Sequence, residues 1–188
     1  MTTVSQYVDD VKLLLDAIDP EQVERLTELL FEAWQEDRRV LLFGNGGSAG
    51  TASHIVNDLQ KCIHLDAGKP LKALCLSDCT PLIMAWANDT EFANIFAPQV
   101  ECWAQPGDLV IAISGSGNSP NVIRAVEKGN DIGAYTFGLA GFEGGHLLSA
   151  ARECIVVRSA NMQQIEDLHM ILLHLVFTLL RHRAAALQ

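Results

Sequence analysis

Five short apolar runs, each separated from the next by a stretch with helical period, constrain the fold of this chain more than any other feature. The runs lie at 40–43, 73–76, 109–113, 134–137 and 154–157. The first and third contain almost only apolar residues, as expected for strands that helices cover on both faces. Strands that alternate with helices are typical of an α/β domain with a parallel sheet.

Helices are predicted between these strands and at both ends of the chain. The second helix should begin at Asp19-Pro20, because a cap residue followed by proline marks a helix start. Its apolar positions keep a helical period through Ala33, and the other predicted helices span 4–17, 48–63, 80–87, 94–103, 121–130 and 162–183. We therefore predict a three-layer α/β/α sandwich with two N-terminal helices and a long C-terminal helix.

The expected strand order is 2-1-3-4-5, as in flavodoxin-like sheets. In that order strands one and three are neighbours, and a crevice opens beyond their carboxyl ends because their connections leave in opposite directions. A chain of 188 residues is long enough for one domain with a sizeable core. We expect a helical segment over 1–37, an α/β core over 38–160 and a closing helix over 161–188.

Charge and cysteine content narrow the class of protein and its compartment. The net charge of -10 disfavours binding to nucleic acids and anionic lipids, which carry the same sign. Five cysteines without a Cys-x-x-Cys pair indicate buried, reduced thiols rather than a disulfide framework. No signal peptide is recognised, and the apolar run 170–180 is too short to span a bilayer. The expected location is the cytoplasm.

The first loop, residues 44–50, follows the first strand and should open a helix. Its glycines allow the backbone to approach a ligand closely, and the N–H groups at a helix start attract an anion. Ser48 adds a hydroxyl group. The candidate binding residues here are Asn45, Gly46, Gly47 and Ser48.

Two other interpretations of the first loop remain open. Gly44, Gly46 and Ala49 also satisfy the dinucleotide-binding fingerprint, which is a weak signal alone. That interpretation requires an acidic residue after the second strand, and Asp78 lies further on than the usual ~20 residues. A tight strand-to-helix turn without any ligand is the second alternative.

The second loop, residues 114–121, follows the third strand and also precedes a helix. Its hydroxyl groups, glycines and helix start indicate a phosphate cradle without a lysine. The Gly-Lys-Ser/Thr ending of a Walker loop is missing, which disfavours nucleotide hydrolysis. An ordinary polar loop with a helix cap is the alternative, but two such loops at one crevice favour a ligand site. Its candidate residues are Ser114, Gly115, Ser116, Asn118 and Ser119.

Two pairs of titratable residues are candidates for acid–base or metal chemistry. His54 and Asp58 stand four residues apart, on one face of a predicted helix. Glu166 and His174 stand ~12 Å apart along the last helix, so sharing one ion requires long side chains or different subunits. Alternatively, His54 and Asp58 form an exposed ion pair on a solvated helix, and His174 is an ordinary core histidine. His169 stands beside Asp167 and is not assigned to the catalytic set.

Several segments together resemble the phosphoheptose isomerases of the sugar-isomerase (SIS) domain family. They are residues 44–49, 76–96, 114–121, 138–145 and 164–174, and the likeness covers nearly the whole chain. The resemblance implies an aldose–ketose isomerase acting on a phosphorylated sugar through an enediol. The implied reaction is that of sedoheptulose 7-phosphate to D-glycero-D-manno-heptose 7-phosphate, without a nucleotide cofactor.

The resemblance also implies roles for individual residues. Asp58 and His174 match the family's acid–base pair. His54, Asp58, Glu166 and His174 match the positions that hold zinc in the family. Glu166 and Asp89 match substrate-contacting positions, although an Asx turn or helix cap explains Asp89 as well. The family usually has glutamate at the Asp58 position and glutamine at the Glu166 position, so this chain departs at both. A homotetramer is implied, and an apolar last helix supports it.

The competing interpretation is a SIS-domain protein that binds without catalysis. Such proteins sense sugar phosphates or bind a replication initiator, and they keep the loops while losing the chemistry. The initiator-binding relatives have asparagine at the position of His174, so the histidine favours an enzyme. Asp58 favours the binding protein slightly.

Overall fold

Five parallel strands form one sheet, and their order confirms the prediction from the sequence. The computed structural model describes residues 3–187. The order is β2-β1-β3-β4-β5, and every neighbouring pair is parallel. The strands are β1 (Arg39–Gly44), β2 (Lys72–Cys75), β3 (Leu109–Ser114), β4 (Tyr135–Gly141) and β5 (Glu153–Val157).

Helices join these strands and cover both faces of the sheet. They are α1 (Val4–Asp16), α2 (Pro20–Gln35), α3 (Gly46–Asn57), α4 (Ile63–Ala67), α5 (Thr80–Asp89), α6 (Ala97–Trp103), α7 (Pro120–Ile132), α8 (Leu147–Ala150) and α9 (Met162–Ala185). A π-helical segment (Asp58–Cys62) joins α3 to α4, and a 3₁₀ segment (Phe92–Asn94) precedes α6. As predicted, Asp19 caps α2 and accepts a hydrogen bond from Glu21 N.

Two apolar cores lie on opposite faces of the sheet. Along β1, Val40 and Leu42 belong to the core under α2, α3 and α9, whereas Leu41 and Phe43 belong to the core under α6 and α7. This division follows from strand geometry, since successive side chains point to opposite faces. It confirms the three-layer architecture.

The fourth strand extends further than its apolar run indicated. The predicted end at residue 137 was wrong, because β4 continues through Gly141. A Cβ atom at Gly138 would lie 2.9 Å from Cys154 Sγ, and one at Gly141 would lie 2.6 Å from Gly115 O. These glycines therefore permit close packing inside the sheet, although glycine in a sequence ordinarily indicates a loop.

The first helix lies against the last one and buries no residue completely. Tyr7 Oη donates a hydrogen bond to Asp167 Oδ2 at 2.6 Å, which ties α1 to α9. Within residues 3–187 no helix is both long enough and apolar enough to cross a membrane. Met1, Thr2 and Gln188, which belong to the expected single domain, lie outside the described residues.

The cysteines confirm one expectation and correct another. All five thiols are free, as predicted, and Cys75 and Cys154 are buried. Cys79 and Cys102 are exposed, so the expectation of uniformly buried thiols was wrong. The reason is their position at the start of α5 and on α6, which are peripheral helices.

Candidate active site

The two small-residue loops lie side by side at the carboxyl ends of β1 and β3. Gly44 and Ile113 are register partners at the last step of the two strands. Just beyond them, Asn45 Nδ2 donates to Asn121 Oδ1 at 3.0 Å, and Asn121 Nδ2 donates to Asn45 Oδ1 at 2.7 Å. The expected side-by-side placement of the first and the second loop is therefore confirmed, and a reciprocal amide pair joins them.

The first loop leaves the amino end of α3 without a side-chain cap. Asn45 occupies the N-cap position, yet its side chain makes no capping hydrogen bond because its amide group pairs with Asn121. Gly46 has a φ of 52°, which favours glycine. An uncapped helix start presents free N–H groups and a positive dipole end, and both attract anions.

Ser77 fixes the backbone where the first loop begins. Its Oγ donates to Gly44 O at 2.9 Å and accepts from Gly44 N at 3.2 Å. Ser77 follows the end of β2, the strand next to β1. The first loop is therefore tied to a neighbour on each side, to Ser77 and to Asn121.

The second loop folds around its own hydroxyl groups. Ser114 Oγ accepts from Gly117 N at 3.2 Å, and Ser116 Oγ accepts from Asn118 N at 3.2 Å. Ser119 Oγ lies 3.4 Å from Ser114 Oγ. Ser114 donates in this last contact, whereas Ser116 and Ser119 accept in theirs and keep their hydroxyl hydrogens for an anion.

Residues 142–147 support the second loop from behind. Asn118 Oδ1 accepts from His146 N at 3.0 Å, and Gly117 O accepts from Leu147 N at 2.9 Å. Gly117 has a φ of 65°, and a Cβ atom there would collide with Gly144 O. Only glycine fits at this position, so the loop backbone is closely constrained.

A cluster of two histidines and one carboxylate lies further along α3. His174 Nε2 lies 2.9 Å from His54 Nε2. Asp58 Oδ2 lies 3.5 Å from His54 Nε2 and 3.9 Å from His174 Nε2. His54 stands near the end of α3, Asp58 starts the π-helical segment, and α9 brings His174 to them. The side chains of His54 and His174 are 48% and 46% exposed, so the cluster opens to solvent.

The donor chemistry of this cluster fits a divalent metal ion. Each of the three residues offers one ligand atom, and these atoms all lie within 4.8 Å of one another. Two imidazole nitrogens and one carboxylate oxygen are the donor set of many catalytic zinc sites, which use three protein ligands. The π-helical turn at Asp58 is of a kind often found at functional sites.

Glu166 lies apart from this cluster, although the sequence grouped it with the metal ligands. A Cβ atom built at Gly47 would lie 2.6 Å from Glu166 Oε2, so this carboxylate rests against the first loop. An acidic group at a helix start is electrostatically favourable. The structure thus brings together His54, Asp58 and His174, and it places Glu166 at the amino end of α3.

Asp89 occupies the last position of α5 and is exposed. Its Oδ1 accepts from Asn88 Nδ2 at 2.8 Å, which is a local contact. Its contact with a sugar remains a prediction.

Two residues near the loops were absent from the predicted set. Ser77 stands just beyond β2 and Asn121 lies in the first turn of α7, at the end of the second loop, and each ties the first loop in place. A signal existed, since polar residues at the carboxyl ends of adjacent parallel strands meet at one edge of the sheet.

His169 is a third residue near the loops that the predicted set did not include. It is 1% exposed, its Nε2 lies 3.1 Å from Ala140 O, and burial lowers its pKa to about 4. No sequence signal distinguished it from an ordinary core histidine.

Comparisons with known proteins show the family of this chain. The SIS domain family model matches residues 6–141. A phosphoheptose isomerase from Aquifex aeolicus is 37% identical over 167 residues, which cover 89% of this chain and 87% of that protein.

Two solved structures are similar over almost the whole chain. The phosphoheptose isomerase from Neisseria gonorrhoeae is 27% identical with a TM-score of 0.85, covering 93% of this chain and 95% of that one. The phosphoheptose isomerase from Francisella tularensis is 25% identical with a TM-score of 0.84, covering 97% of this chain and 100% of that one.

Proposed function

This chain belongs to the SIS domain family, and we propose that it is an aldose–ketose isomerase that converts sedoheptulose 7-phosphate into D-glycero-D-manno-heptose 7-phosphate. One observation carries the proposal: α3 begins at the joined loops and ends at the His54–Asp58–His174 cluster. Six residues separate Ser48 from His54, or ~9 Å along a helix. An extended seven-carbon chain spans roughly 8 Å at ~1.5 Å per bond, which suits a phosphate at one end and reacting carbons at the other.

The loops supply the phosphate site without a cationic side chain. The hydroxyl groups of Ser48, Ser114, Ser116 and Ser119 and the free N–H groups at the start of α3 donate to phosphate oxygens. Hydroxyl and N–H dipoles that the fold holds in place can stabilise an anion without a lysine side chain. Glu166 beside Gly47 is placed to accept hydrogen bonds from sugar hydroxyl groups.

Asp58 and His174 move the protons. The Asp58 carboxylate removes a proton from C1 of the ketose while His174 protonates O2, and an enediol results. His174 then takes the proton from O1, and the proton held by Asp58 is delivered to C2, which gives the aldose. The numbers of atoms and electrons are unchanged, as an isomerisation requires.

We further propose that His54, Asp58 and His174 hold a divalent ion, with zinc as the preferred metal. When bound, such an ion polarises the substrate carbonyl and stabilises negative charge on the enediol oxygens. Asp58 Oδ2 faces both histidines, and its second oxygen is the one we assign to proton transfer. The ring nitrogen of His174 that would not bind the ion is the one we assign to the oxygen protons.

We also propose a homotetramer that works in the cytoplasm. Apolar side chains remain exposed on both α1 and α9, among them Val8 at 44%, Ile171 at 40% and Leu175 at 44%. Contact with further copies of the chain would bury this surface. Light scattering of the purified protein tests the assembly, and a monomer at micromolar concentration would contradict it.

The activity is tested by incubating purified protein with sedoheptulose 7-phosphate, with and without added Zn²⁺, and measuring aldose formation. We expect turnover by the wild type and by His182→Ala, which replaces an exposed histidine on the same helix. His174→Ala should turn over about 10²–10⁴-fold more slowly. Binding of several ketose phosphates without turnover of any, with metal supplied, would refute the enzyme and support a sugar-phosphate-binding protein.

A further inference from the structure

One face of α9 packs directly against the second loop and the end of β4. Met162, Ile165 and His169 are spaced three and four residues apart, so they lie on one face of the helix. A Cβ atom at Gly115 would collide with Met162 Sδ, and one at Gly141 would lie 2.5 Å from Ile165 Cδ1. The helix and the loop therefore leave no space between them.

His169 is the polar member of this face. The ring is buried, and its Nε2 lies 3.1 Å from Ala140 O. A carbonyl oxygen only accepts hydrogen bonds, so Nε2 carries the hydrogen and Nδ1 is an acceptor. Among residues 3–187, Nδ1 has no hydrogen-bond partner.

A buried acceptor without a partner destabilises a fold. A leucine would fill a similar volume without such an atom, so the bond from Nε2 to Ala140 O is the distinctive contribution of the imidazole. Burial also holds the pKa of His169 at about 4, and the ring is therefore neutral near pH 7.

The carbonyl that His169 contacts belongs to the strand next to the second loop. Ala140 is the register partner of Ser114, the first residue of that loop. One step further, Gly141 N donates to Gly115 O at 3.0 Å. Ser114 Oγ in turn accepts from Gly117 N, so the position of β4 is transmitted into the loop backbone.

We propose that His169 is a positioning residue for phosphate binding: its Nε2–H ties the end of β4 to α9 and thereby fixes the second loop, which is bonded to that end of β4. The inference rests on the proposed function in one respect, since it takes the second loop to be the phosphate site. His169 itself does not touch the substrate.

Three substitutions separate this role from simple packing. His169→Gln places an amide nitrogen close to the position of Nε2, His169→Asn is too short to reach Ala140 O, and His169→Leu fills the space without a donor. We expect a roughly tenfold increase in KM and in the Kd for inorganic phosphate for Leu and Asn, with kcat changed less than KM. His169→Gln should restore both to within about threefold of wild type.

Amide hydrogen exchange supplies a readout that needs no substrate. Exchange at Gly117 and Gly141 should be faster in His169→Leu and His169→Asn than in wild type, and should be close to wild type in His169→Gln. His182→Gln, a substitution of an exposed histidine on the same helix, is the control and should change none of these values.

Two results would overturn the proposal. One is wild-type phosphate affinity and loop exchange in His169→Leu, with only a lower melting temperature. The other is an equal loss of affinity in the Gln and Leu variants. If His169→Leu does not fold, the Asn and Gln variants decide the question.

The outcome is distinguishable from failure of the proposed activity. A wild type that binds phosphate but does not isomerise refutes the activity, while the phosphate affinities of the variants still test His169. A wild type that binds no phosphate refutes both.

Discussion

The two joined loops and the histidine cluster stand at opposite ends of α3, and they are built in different ways. The loops are held by backbone geometry and by ties to neighbours, and Ser48 and Ser114 are only 5% and 4% exposed. The cluster consists of side chains from two helices, and its histidines are nearly half exposed. The proposed phosphate site is therefore preorganised within the sheet edge, whereas the proposed acid–base groups are open to solvent.

This difference implies that binding and chemistry can be separated by substitution. Changes in the loops should act on phosphate affinity and KM, and changes in the cluster should act on kcat. The predictions below test that separation, from the largest expected effect to the smallest.

His174→Ala should lower kcat by a factor of about 10²–10⁴, because it removes the group that moves the oxygen protons. The Kd for inorganic phosphate should remain within about twofold of wild type, since His174, on α9, contacts the end of α3 that lies far from the loops. Steady-state kinetics and calorimetry check the two quantities, with His182→Ala as the matched control. A parallel loss of phosphate affinity would show that the two regions are not separate.

Asp58→Glu should raise kcat by up to about 100-fold, because a carboxylate displaced by ~1.5 Å transfers protons poorly and the added methylene recovers that length. Asp58→Asn, which keeps the size but removes the base, should be inactive. The same kinetic assay measures both. If Asp58→Glu is as inactive as Asp58→Asn, the site is shaped for the shorter side chain.

Asn121→Leu should raise the Kd for phosphate and the KM by roughly 10- to 30-fold, because it removes both hydrogen bonds to Asn45. The value of kcat should fall by less than about threefold. Asn130→Leu is the matched control, since Asn130 bonds Ala150 O and Thr136 instead. That variant should lose stability but keep its phosphate affinity, and equal losses of affinity in both would contradict a specific tie between the loops.

The buried His169 should make stability depend on pH without involving the cluster. Its pKa falls from 6.5 to about 4 on folding, so the unfolded chain binds the proton more readily. Its contribution is complete above pH 6.5 and is lost as the pH falls toward 4. Between pH 7.5 and 5.5 the loss should be about 1 kcal/mol of unfolding free energy.

Denaturant titrations of wild type and His169→Gln at the two pH values measure this contribution. The variant should show a correspondingly smaller dependence on pH. Identical pH dependence in the two proteins would mean that the buried ring is not the source.

The parts predicted from the sequence are those that depend on neighbouring residues. Strand order, the two loops and the pair formed by His54 and Asp58 follow from apolar periodicity, small-residue runs and helical spacing. The length of β4 was missed because Gly138 and Gly141 indicate a loop until their packing partners are known. Local pattern alone does not distinguish a glycine that turns from one that packs.

The parts that were missed depend on distant residues meeting in space. The amide pair between Asn45 and Asn121 and the contact between His169 and Ala140 join segments far apart in sequence. Glu166 was grouped with the metal ligands from the family resemblance, yet its carboxylate rests against Gly47. The direction of a side chain on a long helix depends on what that helix packs against, and the sequence does not state this.

The most direct measurement follows the hydrogens of C1 and C2 by proton NMR while sedoheptulose 7-phosphate is incubated with the protein in D₂O. Because the cluster opens to solvent, the proton held by Asp58 should exchange with D₂O before it returns to carbon. The account therefore predicts that deuterium replaces one hydrogen at C1 of the ketose and appears at C2 of the aldose, and that His174→Ala abolishes both. A ketose that keeps all its hydrogens and yields no aldose, with Zn²⁺ supplied and phosphate binding intact, would contradict the account.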